Sequence, residues 1–309
     1  MIHVELPLNA DRPSTLWTFT GIRGVALPSE GAFQLGDGLS ILPVSPFILS
    51  RRTSLDLNLR QQQEMTNVGH YLVYKSPILS RDPIGEDKAI DRLLNALMAI
   101  QIVKPSPTLG HVLQSMETDS PEYSVFGPSE LRAPIDPGQW PSLRCLDLPF
   151  LKQAASMIAT VDGIMAGTNV RRKNAIYLFQ LALEHRHPAI ACLLAVASME
   201  ACLKTKGAKG FEKGLCELLG NDTRAFSDWN SPDFPQPPYT VEELAYNLYR
   251  LRSTIAHGND LRQAKGKDGG SIDFWRLQDF IDEQQKPTYM QLLCEASICL
   301  ACRVLQATL

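Results

Sequence analysis

Residues 248–260 read LYRLRSTIAHGND, which sets two arginines, a histidine and a glycine in quick succession at the end of an amphipathic helix. Thr240 followed by Glu243 makes a capping box, so the helix is predicted to begin there, and Gly258 supplies its left-handed exit. Between these limits Leu244, Leu248, Leu251 and Ile255 recur every three or four residues and form a stripe to be buried. Arg252 stands four after Leu248 and three before Ile255, at the edge of that stripe, where a guanidinium needs a partner.

His257 follows Arg252 by five residues, about 140° around an ideal helix, whereas Arg250 lies seven before His257 and on its side. Two geometries bring Arg252 and His257 to one target: a loosened helix end, or the same helix arriving from a second copy about a twofold axis. The carboxyl end of a helix favours a cation, and a protonated imidazole beside a guanidinium suits a phosphate. Arginine grips two oxygens, and histidine gives or takes the proton of a ribose or leaving oxygen, which is chemistry for cutting RNA without a metal. The plainer reading is that both side chains only cap carbonyls and pair with carboxylates.

Outward from this segment the C-terminal half reads as helices. LKQAASMIATVDGIM, RRKNAIYLFQLALEHR, PAIACLLAVASMEACLKTK and KGFEKGLCELLG precede the motif helix, and TYMQLLCEASICLACRVL follows it. Pro188 suits a first turn and Gly220 a position just past a helix end. Residues 221–238 read as a loop around SPDFPQPP. The first 145 or so residues are instead rich in proline and glycine. TFTGIRGVALPSEGAFQLGDGLSILPVSP and HYLVYKSP suggest β-hairpins, EDKAIDRLLNALMAIQIV one helix, and SPEYSVFGPSELRAPIDPGQWPSL an extended connection. The expectation is an α+β chain with a boundary near Pro149: a β-rich, loop-rich part over 1–149 and a helical part over 150–309.

The hydrophobic share of 44% and charged share of 20% among 309 residues leave ample core material and argue against large-scale disorder. A formal net charge of −3 excludes a global polycation, so nucleic acid would need a local patch. One exists between Met165 and Leu215, where eight basic residues, among them Arg171, Arg172 and Lys173, face three acids. A solvated helix surface is the plainer account of it. The N-terminus has no basic stretch leading into an apolar core, and the longest apolar run, Ala189 to Leu203, is too short to span a bilayer. Seven cysteines, six in apolar helical segments, fit free buried thiols in a reducing cytoplasm, and no membrane association is expected.

His185 and His187 in EHRHP are two apart at a helix end, where their side chains diverge, and Cys294, Cys299 and Cys302 lack a matching ligand pair. No metal and no cofactor are therefore expected. The sequence contains no P-loop, GxGxxG, HExxH or GxSxG, which makes ordinary nucleotide hydrolases and dehydrogenases poor fits.

LYRLRSTIAHG closely resembles the signature of HEPN domains, helical modules marked by Arg, four to six residues, then His; it is most similar to the Apea-like branch, where glycine follows the histidine. Arg252 and His257 match the four-residue spacing, and Arg250 the six-residue one. Ser253 stands where the family commonly has Asn or Asp, keeping a hydrogen-bonding group but departing from the preferred residue. LAVASMEACL is similar to an earlier family helix with a glutamate in an apolar run, which assigns Glu200 to that role; a surface pair with Lys204 is the other reading. The resemblance covers roughly residues 150–309. It implies an up-and-down helical bundle that dimerises through the motif helix, and a metal-independent endoribonuclease of a prokaryotic toxin–antitoxin or phage-defence type. There His257 would act as acid or base and Arg252 would stabilise charge on the phosphorane. Other members of the family bind RNA or nucleotide, or assemble complexes, without turnover.

Overall fold

The computed structural model describes residues 14–22, 24–27, 32–43, 69–78, 83–105, 111–117, 129–130, 147–185, 187–226, 239–278 and 286–309. The fold is α+β. Among the described residues six strands come from the N-terminal part: β1 (Ser14–Ile22), β2 (Phe33–Gly36), β3 (Leu39–Pro43), β4 (His70–Ile78), β5 (His111–Glu117) and β6 (Ser129–Glu130). The seven α-helices among the described residues are α1 (Pro83–Val103), α2 (Leu148–Ala166), α3 (Val170–Glu184), α4 (Pro188–Leu203), α5 (Gly207–Leu219), α6 (Val241–Ala256) and α7 (Tyr289–Thr308). The chain gathers into two compact units: Met1–Ile100, Ser106–Ala133 and Cys145–Asp162 in one, and Gln101–Pro105, Pro134–Arg144 and Gly163–Leu309 in the other. The division falls within α1 and α2.

In the first unit the strands run antiparallel in the order β2-β3-β4-β1-β5-β6. β1 is paired on both sides, with β4 and β5, and Leu16 to Ile22 are all buried without the alternation of a half-wet strand. β5 lies in a stretch whose sequence gave no strand signal, and most of the connection over 120–143 lies outside the described residues. β2 and β3 are joined through Asp37 and Gly38, both with positive φ (44° and 79°), as a two-residue hairpin turn demands. A Cβ on Gly38 would lie 2.5 Å from the Lys75 carbonyl oxygen. Gly38→Ala is therefore expected to destabilise this unit by about 2–3 kcal/mol, from the left-handed φ and the backbone clash together. A urea midpoint equal to wild type would show that the turn is not built this way.

In the second unit α4 is the central helix and packs on α3, α6 and α7, while α5 packs on α6. Its small residues make this close approach feasible: Ala189, Ala191, Ala195 and Ser198 are buried, and the Ser198 hydroxyl donates to the Ala175 carbonyl on α3 at 2.7 Å. Pro188 opens α4 at its first turn, and Gly220, with φ of 90°, closes α5 as the C-cap itself. α7 is buried along most of its length, and among the described residues it is the one single helix long and apolar enough to cross a membrane. Four of the six described cysteines are buried as expected, but Cys202 and Cys216 are half-buried at helix ends. Burial pushes the Cys192 thiol up to about 12.

Burial also pushes the Glu295 carboxyl on α7 up to about 8, from an ordinary 4.5. The folded state then holds a proton that the unfolded chain releases, so stability is complete below about 4.5 and is lost as pH rises through about 8. Glu295→Gln is expected to flatten this decline. Urea midpoints at the two ends of that window check it, and equal slopes in variant and wild type would refute it.

Candidate functional site

α6 begins and ends where its sequence signals lie. The Thr240 backbone N–H donates to the Glu243 carboxylate at 2.7 Å, and the Glu243 N–H donates to the Thr240 hydroxyl at 3.3 Å. At the other end Gly258, with φ of 65°, takes the left-handed turn; its N–H donates to Ile255 at 3.0 Å and the Asn259 N–H donates to Thr254 at 2.9 Å. That pair of bonds is a Schellman motif and it holds the helix end closed. Leu244, Leu248 and Leu251 are buried with Val241, Ala245 and Thr254. Ile255, expected in the stripe, is only half-buried, because it sits in the last turn where packing partners run out.

Arg252 finds its partner on α4. Its Nη2 lies 2.9 Å from the Glu200 carboxylate, with the two side chains 26% and 16% exposed. Glu200 thus spends its carboxylate on Arg252, while Lys204 becomes the left-handed C-cap of α4 and donates its backbone N–H to the Glu200 carbonyl at 3.1 Å. Burial raises the Glu200 carboxyl above its ordinary range, and the charge and hydrogen bond of Arg252 oppose that rise. The Arg252 guanidinium also lies 5.8 Å from the centre of the Tyr249 ring, which packs on Phe211 of α5 at 5.6 Å. The Nε atoms of Arg250 and Arg252 are buried without a hydrogen-bond partner among the described residues.

Arg171 joins the same cluster from α3, donating to the carbonyls of Ala201 at 2.6 Å and Glu200 at 3.2 Å. Arg172 turns instead to the end of α7 and donates to the Thr308 carbonyl at 3.0 Å. Both occupy the negative ends of helix dipoles, which is a structural use of cations. Lys173, next along α3, is half-buried. Glu200, Arg171 and Arg252 are therefore brought together; His257, the C-cap of α6, and Gly258 are exposed beyond them, and Ser253 is half-buried with its carbonyl accepting the His257 N–H at 3.1 Å. Removing the Glu200–Arg252 pair in a double-mutant cycle with alanine is expected to give a coupling of about 1–2 kcal/mol, since the pair is mostly buried. A coupling near zero in thermal unfolding would mean that the two side chains do not hold each other.

No protein-family model, curated protein or solved structure matches this chain.

Among the described residues no group of three or more His, Cys, Asp or Glu is gathered to hold a metal ion. His185 and His187 serve as the C-cap of α3 and the N-cap of α4. A pocket of about 460 Å³ lies at the opposite end of α6 from the motif, lined by Glu242, Tyr246, Asn247, Lys267, Arg276 and Tyr289 among others. Asn247 donates to the Tyr289 hydroxyl at 2.9 Å, the Arg276 guanidinium sits 4.6 Å over the Tyr289 ring, and Lys267 is tied to Glu212 at 2.6 Å. No local motif announces this pocket, because its walls come from α6, residues 266–276 and the start of α7.

Proposed function

We propose that residues 150–309 form a HEPN-like module of the Apea-like type acting as a metal-independent endoribonuclease, with Arg252 and His257 as its working pair. The observation that supports this reading is the contrast at the end of α6. A guanidinium is braced by a carboxylate 2.9 Å away, and five residues on, an imidazole is presented to solvent beyond a closed helix terminus. A braced arginine keeps further N–H donors for phosphate oxygens, and an exposed histidine is free to exchange protons.

In this reading His257 takes the proton of a ribose 2′-hydroxyl, the 2′-oxygen bonds to the adjacent phosphorus, and the 5′-oxygen leaves with a proton returned to it. The products are a 2′,3′-cyclic phosphate and a 5′-hydroxyl. Arg252 stabilises the extra negative charge on the phosphorane oxygens. Because the two side chains of one α6 face directions about 140° apart, a second copy of the chain completes the cleft. Labelled RNA incubated with the full chain in EDTA tests the reading: cleavage leaving cyclic phosphate ends is expected, and intact RNA after prolonged incubation overturns it.

A second reading has its own support. Arg171, Arg172 and Arg252 all donate to internal acceptors, the part they would play in a non-catalytic module that holds RNA or nucleotide through other groups, or assembles with partners. Retained binding of uncut RNA in the same experiment favours it.

A further inference from the structure

We propose that the pocket of about 460 Å³ beside the first two turns of α6 binds a linear aliphatic polyamine. Its volume falls in the range of small-molecule sites, and its walls carry charge of one prevailing sign. Glu242 and Glu243 line it from α6, and Asp268 and Asp273 from the segment 266–276. Against these four carboxylates stand two cations, Lys267 and Arg276. Lys267 is already answered by Glu212 at 2.6 Å, with Glu242 a further 3.9 Å contact. Arg276 lies 4.6 Å over the Tyr289 ring and makes no ion pair among the described residues. A phosphate or carboxylate ligand would therefore face four negative groups with one uncommitted cation to meet it. No three of the acids gather closely enough to hold a metal ion, which leaves an organic cation.

Three of the carboxylates are held in place and still have an oxygen to offer. Glu243 Oε2 accepts from the Thr240 N–H at 2.7 Å, Asp268 Oδ1 from the Gly270 N–H at 3.1 Å and Asp273 Oδ1 from the Trp275 N–H at 3.0 Å. The second oxygen of each has no hydrogen bond among the described residues. The turn that carries Asp268 is closed by the Gly266 N–H donating to the Gly270 carbonyl at 2.8 Å, and a Cβ on Gly266 would lie 2.9 Å from the Asp268 carboxylate. Ammonium groups thus meet acceptors fixed beforehand, which lowers the ordering cost of binding. The apolar lining comes from Tyr246, which is half-buried, and from Ile272 and Tyr289, which are buried. Tyr289 shows a ring in this wall holding a cation; Tyr246 holds none among the described residues and is open to one. Acids on two chain segments, with rings and an isoleucine beside them, match ammonium groups spaced along a hydrocarbon stem. A lysine side chain offers one ammonium for both acidic walls.

Isothermal titration of the full chain with spermidine tests the proposal, with n-butylamine, magnesium ion and a lysine tripeptide as comparison probes at matched ionic strength. Spermidine is expected to bind saturably, one per chain, and at least about tenfold tighter than each of the other three. Asp268→Asn and Asp273→Asn keep the oxygen that accepts from the backbone, so circular dichroism should not change; each is expected to weaken spermidine about fivefold, and the two together about twentyfold. Tyr246→Leu is expected to weaken it about threefold. A titration that does not saturate, or one that magnesium ion reproduces, overturns the proposal. So does spermidine binding unmoved in the double asparagine variant, and so does tighter binding of the lysine tripeptide, which would move the site from a free amine to a protein partner. Arg252, His257 and RNA play no part in these readouts, so the ribonuclease reading and this site fail separately.

Discussion

His257→Ala is expected to lower RNA cleavage in EDTA by about 10²–10⁴-fold, the range that a positioned acid or base contributes. It is expected to leave the unfolding midpoint nearly unmoved. The imidazole is exposed, and the helix end is closed by backbone bonds from Gly258 and Asn259 that alanine preserves. The two outcomes together separate a chemical role from a structural one. Cleavage by the variant at the wild-type rate would remove His257 from the reaction, and a parallel loss of folding would trace the effect to α6 itself. RNA binding measured on the same variant completes the comparison, because a residue that moves protons changes turnover far more than affinity.

Phe211→Ala carries the largest expected effect on stability, about 3–5 kcal/mol. The ring is fully buried on α5 and lies 5.6 Å from the Tyr249 ring at 40°, so truncation leaves a void under the motif helix as well as losing apolar area. Tyr249 in turn flanks the Arg252 guanidinium. Denaturant unfolding is the direct measure, and a loss under about 1 kcal/mol would mean that α5 and α6 do not share this packing. Cleavage by the variant should follow its folded fraction.

The helices of the second unit were legible because their signals are local. Thr240 with Glu243, Pro188, and Gly258 each act within a few residues, and the capping bonds form between the residues that announce them. What escaped the sequence depends on distant partners. β5 is a strand because β1, about a hundred residues earlier, offers it an edge, and HVLQSME has little alternation of its own. The basic run from Arg171 read as a solvated surface or a local patch for nucleic acid, and neither reading showed that Arg172 reaches a carbonyl 136 residues away. Lys204 was the near partner available to Glu200 at helical spacing, but the carboxylate pairs with Arg252 across two helices. Local spacing thus drew attention to residues around α6 without stating what they touch.

The Schellman closure of α6 bears on how long a ligand must be. Unwinding the last turn would sacrifice two backbone bonds, each of about 1 kcal/mol, so the helix is not expected to swing its terminal histidine round toward Arg252. A polynucleotide that touches both groups of one protomer has to curve over the rim of the cylinder, with different phosphodiesters at each stop. On the ribonuclease reading a single phosphodiester therefore meets Arg252 of one copy and His257 of another, so a dinucleotide already spans the shared cleft while a lone protomer needs a longer strand.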